Sequence, residues 1–422
     1  DVIFLFLGGF LLALAMEKWN LHKRIALRII MLFGGSATSI IFGFIAATAF
    51  ISMWISNTAT ALMMLPIAMA IIYKLENEFG KDKTKNFSVA LMLSIAYCAS
   101  IGGIATPIGT PPNLAFMKIF KIVFPQAPSV SFGTWMLIAV PISLLILLFT
   151  SFILLKVFYP VGKLNINKNF INDEYKKLGK INFEESIVGI VFSLTSLLWI
   201  FRADLNLSFI VIPGWQNLFP FPDFLNDGIV AIAMSFILFL IPSKKEKKKF
   251  ILDSEIFNKV PWGIILLFGG GFALAEGFTK SGLSEFIGTQ FYGMKDFSPF
   301  LITLSVAFVV IFLTELTSNT AVAQMILPIM ASVSVAIGIN PILLMITATI
   351  SASLGFMMPV GTPPNTIVFA SNKLKISEMV KAGFAINIVS IILVSVLIYL
   401  LGNFLFDFGS FPDWAKTPQL KD

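Results

Sequence analysis

Ser56-Asn57-Thr58 and Ser318-Asn319-Thr320 are two copies of one triplet, each set in a long apolar stretch and followed by the same tripeptide, Leu65-Pro66-Ile67 or Leu327-Pro328-Ile329. Each copy is answered downstream by a second repeated signature, Gly109-Thr110-Pro111-Pro112-Asn113 or Gly361-Thr362-Pro363-Pro364-Asn365. A third pair precedes them: Phe6-Leu7-Gly8-Gly9-Phe10-Leu11-Leu12-Ala13 matches Phe268-Gly269-Gly270-Gly271-Phe272-Ala273-Leu274-Ala275. Three signatures recurring in one order mark a duplicated unit whose copies are expected to meet at one site. Chance likeness between apolar segments would not reproduce what the copies share, which is polar and helix-breaking residues.

The setting of these signatures is a membrane. The 422 residues are 57% hydrophobic and only 13% charged, with a mean hydropathy of +0.89, and several apolar runs are long enough to cross a bilayer. One cysteine, Cys98, excludes an internal disulfide or a thiolate cluster, and one histidine, His22, argues against a histidine zinc site or a Ser-His-Asp triad. The net charge of +7 reads first as membrane orientation, with no nucleic-acid partner implied. The chain opens at Asp1 inside an apolar run, with nothing like a signal peptide, so further helices are expected upstream.

Along the chain, residues 2–16 read as a crossing and 17–28 as an amphipathic interfacial helix, with His22, Lys23 and Arg24 as interfacial anchors. Residues 29–73 form two apolar arms interrupted by Ser52 and the first triplet, with basic residues at both ends, so the stretch returns to the side it left. Residues 87–103 form a helix that runs into the first Gly-Thr-Pro-Pro-Asn, where glycine and proline unwind the backbone. Crossings follow at 132–158, 185–201 and 227–241. The layout then repeats: a crossing at 260–276, an interfacial segment to 296, arms at 298–337, a broken helix from 341 and a last crossing at 383–408.

Most of the 30 Lys and Arg fall in the loops assigned to the cytoplasm. The outer loops hold Lys118, Lys121, Arg202, Lys280, Lys295, Lys416 and Lys421, and Lys156 sits at a cytoplasmic helix end. With that sidedness the first pair of arms opens from the cytoplasm and the second from outside, so the two units are inverted.

Small polar residues in membrane helices commonly serve as packing glue. Two inverted copies beside broken backbone instead favour a binding site. Hairpin tips and broken helices offer free N–H groups and positive dipole ends to a carboxylate, while the same breaks expose carbonyls and hydroxyls that suit a small hard cation. No Lys or Arg adjoins either signature, so bound cations are the economical partners for an anionic substrate. Glu315 is the one acid close to a triplet, where the first unit has Met53. A carboxylate at that depth is a candidate for function or for a structural cap.

The paired triplets, the two Gly-Thr-Pro-Pro-Asn loops, and the stretch from Gly8-Gly9-Phe10-Leu11-Leu12-Ala13 through Trp19-Asn20-Leu21-His22-Lys23-Arg24 resemble the divalent anion:sodium symporter family, in particular its bacterial dicarboxylate transporters. The resemblance implies an all-α integral membrane protein of the inner (plasma) membrane, an inverted-repeat, elevator-type homodimer with two re-entrant hairpins and broken transmembrane helices. Residues 1–35 and 159–297 would contribute the scaffold, and 36–158 and 298–422 mainly the transport domain. Asn57, Thr58, Thr110, Asn319, Thr320, Thr362 and Pro363 would meet substrate carboxylates. One sodium ion would be held by Ser52, Ser56, Asn57 and Gly109, and a second by Thr314, Thr317, Asn319 and Gly361. The family also contains sodium-independent exchangers and carriers of citrate or sulfate. An intramembrane enzyme would need paired acids or a serine with a histidine base, and this chain offers neither; a channel would conduct without saturating.

Overall fold

The computed structural model describes residues 2–162, 169–207, 210–246, 248–406, 408 and 410–416. Lys421, placed in an outer loop above, lies outside them, as do Lys163, Lys168 and Lys247, which belong to loops assigned to the cytoplasm. The chain folds into α1 (Val2–Lys18), α2 (Leu21–Leu32), α3 (Ala37–Ser52), α4 (Asn57–Phe79), α5 (Lys81–Gly103), α6 (Pro111–Val123) and α7 (Phe132–Phe152), the last continued by a π-helical end, Ile153–Phe158. A middle section follows with α8 (Asn169–Lys177), α9 (Phe183–Ile200) and α10 (Asp227–Leu240). Then come α11 (Trp262–Lys280), α12 (Leu283–Gln290), α13 (Pro299–Thr314), α14 (Asn319–Ile337), α15 (Pro341–Ser351), α16 (Pro363–Phe369) and α17 (Ile376–Phe406). Among the described residues, seven helices are long and apolar enough to cross a membrane, or up to eight if the bent pair α1 and α2 is one span.

The duplication is visible element by element, because α11 to α17 repeat the order of α1 to α7. In each unit a hairpin (α3 with α4, α13 with α14) turns at the triplet, and a buried helix (α5, α15) ends before the unwound signature. Proline then starts a half-helix (α6, α16), since its missing N–H is unpaired there in any case. Helix α15 is buried along its whole length, and α5 from Phe87 to Gly103, as expected of a helix apolar on every face. Gly102 lets α5 lie against α3: a Cβ there would fall 2.3 Å from Ala49 O.

The two units interlock. Helix α6 of the first packs on α14 and α11 of the second, while α16 packs back on α4 and α5. At one end the segment after α16 is tied to the first unit by Lys373–Glu76 at 2.7 Å, by Tyr97 Oη donating to Met379 O and by Tyr159 Oη donating to Glu378 O.

The expected interfacial anchor differs in detail. Asn20, at φ 58°, turns the chain by 71° between α1 and α2, but His22 and Arg24 are buried. His22 Nδ1 lies 2.9 Å from Met16 O. Arg24 is bonded by two nitrogens to the Glu185 carboxylate and by Nη1 to Gly179 O. The reason is a buried acid on a distant helix, which turns a surface-like charge inward. Lys18 reaches Asp253 at 3.1 Å; burial opposes the charge on Asp253, yet this ammonium holds its carboxyl below the ordinary range.

Candidate functional site

At the first tip, α3 ends on Ser52 and α4 starts at Asn57, with the Ser56 hydroxyl accepting from Ala59 N as an N-cap. Ser52 Oγ lies 2.7 Å from Asn57 Oδ1 and 2.6 Å from Ala99 O, so its one hydrogen serves only one of two acceptors. Asn57 Oδ1 itself faces only acceptors: a turned amide would donate to Ala99 O at 3.0 Å, Gly109 O at 3.2 Å and Ser52 Oγ at 2.7 Å. With the amide so turned its nitrogen is paired, and the Ser52 hydroxyl and the Ala99 and Gly109 carbonyls are gathered around this one side chain.

The space is kept by glycine. A Cβ on Gly103 would fall 2.3 Å from Asn57 Oδ1, and one on Gly109 would fall 2.4 Å from Gly103 O and 3.0 Å from Met53 O.

The second tip repeats the pattern. Thr314 Oγ1 lies 2.7 Å from Asn319 Oδ1 and 2.8 Å from Ala352 O, again one hydrogen between two acceptors. Gly361 lies against this tip, where a Cβ would stand 3.3 Å from Glu315 Oε2 and 3.4 Å from Glu315 O. The tips differ in cover, however: Trp54 and Ile55 are buried and Ser56 half-buried in the first, whereas their counterparts Leu316, Thr317 and Ser318 are exposed in the second.

The Glu315 carboxylate is held by four donors. Oε1 accepts from Phe356 N at 2.7 Å, Met357 N at 2.9 Å and Asn387 Nδ2 at 2.7 Å, and Oε2 accepts from Met358 N at 3.0 Å. It therefore caps the three N–H groups that unwinding after α15 leaves without helical partners. In the first unit the corresponding tie is made by backbone, with Thr106 Oγ1 donating to Met53 O.

Two residues of equal weight escaped the sequence reading. Asn113 Nδ2 donates to Gly103 O, Ile104 O and Thr106 O, and Asn365 Nδ2 donates to Gly355 O and Met358 O, both from fully buried positions. They brace the broken backbone from behind. Their place as the last residue of a duplicated signature was the available signal.

The structure thus brings Ser52, Asn57 and Gly109 into one oxygen cluster, and Thr314 and Asn319 into another with Gly361 against the same tip. Thr110 and Thr320 are buried, Thr58 is half-buried and Pro363 is exposed, while the Thr362 hydroxyl accepts from Asn365 N. Helix α14 starts without a side-chain cap, leaving N–H groups for a ligand, whereas α6 opens on Pro111 and Pro112, which have none. Among the described residues no hydrogen bond joins the two clusters, and no group of three His, Cys, Asp or Glu could hold a metal ion. The donors are neutral oxygens, which fit an alkali cation.

A duplicated all-α fold with two hairpins and two broken helices, carrying an oxygen cluster at each tip, defines an inverted-repeat membrane transporter. The chain belongs to the family described as the sodium:sulfate symporter transmembrane region, whose model matches residues 1–408. It is 44% identical over 410 residues to the sodium-dependent dicarboxylate transporter SdcS of Staphylococcus saprophyticus, covering 95% of this chain and 76% of that protein. To SdcS of Staphylococcus aureus it is 42% identical over 406 residues, with 94% and 76% covered. Among solved structures it shares its fold with Neisseria gonorrhoeae MtrF, at TM-score 0.63 and 15% identity over 95% of this chain and 81% of that one. It shares it also with the Alcanivorax borkumensis YdaH transporter, at TM-score 0.63 and 12% identity over 96% and 85%.

Proposed function

We propose that the protein is a secondary transporter that carries C4-dicarboxylates such as succinate, malate or fumarate into the cell with sodium ions, across the inner (plasma) membrane. The observation that carries the reading is the duplicated cluster of neutral oxygens, Ser52 Oγ beside Asn57 and Ala99 O at one tip and Thr314 Oγ1 beside Asn319 and Ala352 O at the other, a donor set that suits an alkali cation. The names of the relatives support sodium and a dicarboxylate as cargo.

In this reading Ser52, Ser56, Asn57 and Gly109 take one sodium ion, and Thr314, Thr317, Asn319 and Gly361 a second. Cation binding orders the tips and supplies positive charge where no Lys or Arg is at hand. The substrate carboxylates then meet Asn57, Thr58, Thr110, Asn319, Thr320, Thr362 and Pro363, helped by the N-termini of α4 and α14. Glu315, its oxygens already engaged by backbone and Asn387, shapes the second site and does not meet the anion. Residues 36–158 and 298–422 would move as a transport domain against scaffold segments 1–35 and 159–297, in an elevator step within a homodimer.

The test is uptake of radiolabelled succinate by the purified protein in liposomes, with and without an inward sodium gradient and against excess citrate or sulfate. Sodium-driven succinate uptake is expected, and Asn57→Ala and Asn319→Ala each should abolish it while eluting as folded protein. Sodium-free counterflow would replace symport by exchange. Stronger competition by sulfate or citrate would change the substrate.

A further inference from the structure

The third repeated signature supplies none of the residues assigned to the cations or the carboxylates, yet its two copies touch one another. Four of its six shared residues, Phe6, Gly9, Phe10 and Ala13 in α1 and Phe268, Gly271, Phe272 and Ala275 in α11, fall at i, i+3, i+4 and i+7, which is one face of a helix. In α11 these four are the only buried residues. The equivalent phenylalanines of the two units touch: Phe6 and Phe268 meet edge to face with centroids 4.9 Å apart. Phe10 extends the row at 4.2 Å from Phe6, and Phe272 at 5.6 Å from Phe268. On one side, Phe6, Gly9, Phe10 and Ala13 line a small cavity with Trp54, Ser56 and Ile108 of the first tip. On the other side Gly271 packs directly on α14, where a Cβ would fall 2.2 Å from Gln324 Cδ, and Gln324 Nε2 donates to Leu267 O at 3.2 Å.

We propose that this four-ring row is the ion seal of the carrier: a fixed apolar closure between α1 and α11 that blocks water and ions beside the hairpin tips, so that cargo crosses only with the tips. Apolar constrictions close by shedding water, and an ion forced through one loses its hydration without gaining a partner. Glycine at the i+3 position of α11, Gly271, keeps that face flat enough for α14 to lie against it. The inference rests on the tips being the transport site.

Substrate-independent sodium flux through the reconstituted protein, measured with radioactive sodium and no dicarboxylate present, tests it whichever anion is the true substrate. Phe6→Ala and Phe268→Ala should each raise this flux several-fold over wild type, with Phe6→Leu and Phe268→Leu close to wild type. Monodisperse alanine variants with wild-type flux would overturn the seal. Should the alanine variants fail to fold, Phe6→Cys and Phe268→Cys decide the matter, since native Cys98 is buried. No reaction with a membrane-impermeant thiol reagent from either side is expected, and labelling from either side would overturn the proposal.

Discussion

At Gly103 there is little tolerance, because any side chain begins 2.3 Å from Asn57 Oδ1. Gly103→Ala should therefore remove sodium-driven uptake in liposomes while the protein still elutes as wild type; normal uptake would show that Asn57 can move without loss. Gly9→Ala is the control, since its Cβ would stand 3.5 Å from Ile108 in ordinary contact. Glu315→Gln replaces an acceptor by a donor among four donors, leaving at least one buried N–H unpaired at a cost of about 1–3 kcal/mol. Its melting midpoint should fall, and sodium should raise that midpoint less than in wild type; an unchanged sodium response would confine Glu315 to folding alone. The triplets were legible because Ser, Asn and Thr stand out in an apolar run. The role of Glu315 was not, since it depends on three N–H groups that only unwinding after Ser351 sets free.

Among elements, α2 shows where pattern reading stops. Its alternation of basic and apolar residues predicts an interfacial helix, and the bend at Asn20 agrees with that. What the pattern could not contain was Glu185, buried on α9 and paired with Arg24. Removing one partner of a buried pair strands the other, at about 3–5 kcal/mol. Arg24→Ala should lower unfolding stability in detergent by that order, and Arg24→Ala with Glu185→Ala should recover part of the loss; equal losses in single and double variants would mean the pair is not coupled. The hairpins and broken helices were easier to read, since Pro111 and Pro363 fix where the half-helices begin. The end of α15 was harder: it stops at Ser351, well before the glycine and prolines that announce a break.

For the whole molecule, the order of repeated signatures carried the architecture, because seven elements recur as seven. The contacts that lock the copies together had no such trace. Phe6 against Phe268 joins two copies of a signature that the sequence repeats, but α6 against α14 arises between segments far apart in sequence, and neither residue type nor spacing marks it beforehand. Nor did the duplication announce its inequality, a covered first tip and an open second one, since both carry the same triplet. The short, wholly enclosed α15 has a consequence for how the protein is made. Its 11 residues reach about 16 Å, against a hydrocarbon core of about 30 Å. Such a segment offers the insertion machinery too little length to be accepted by itself. It must wait at the bilayer edge until α13, α14 and α17 have gathered, so the carboxy-terminal half is assembled as a group, late in synthesis, and an interrupted chain ending before α17 would be left for the quality-control proteases.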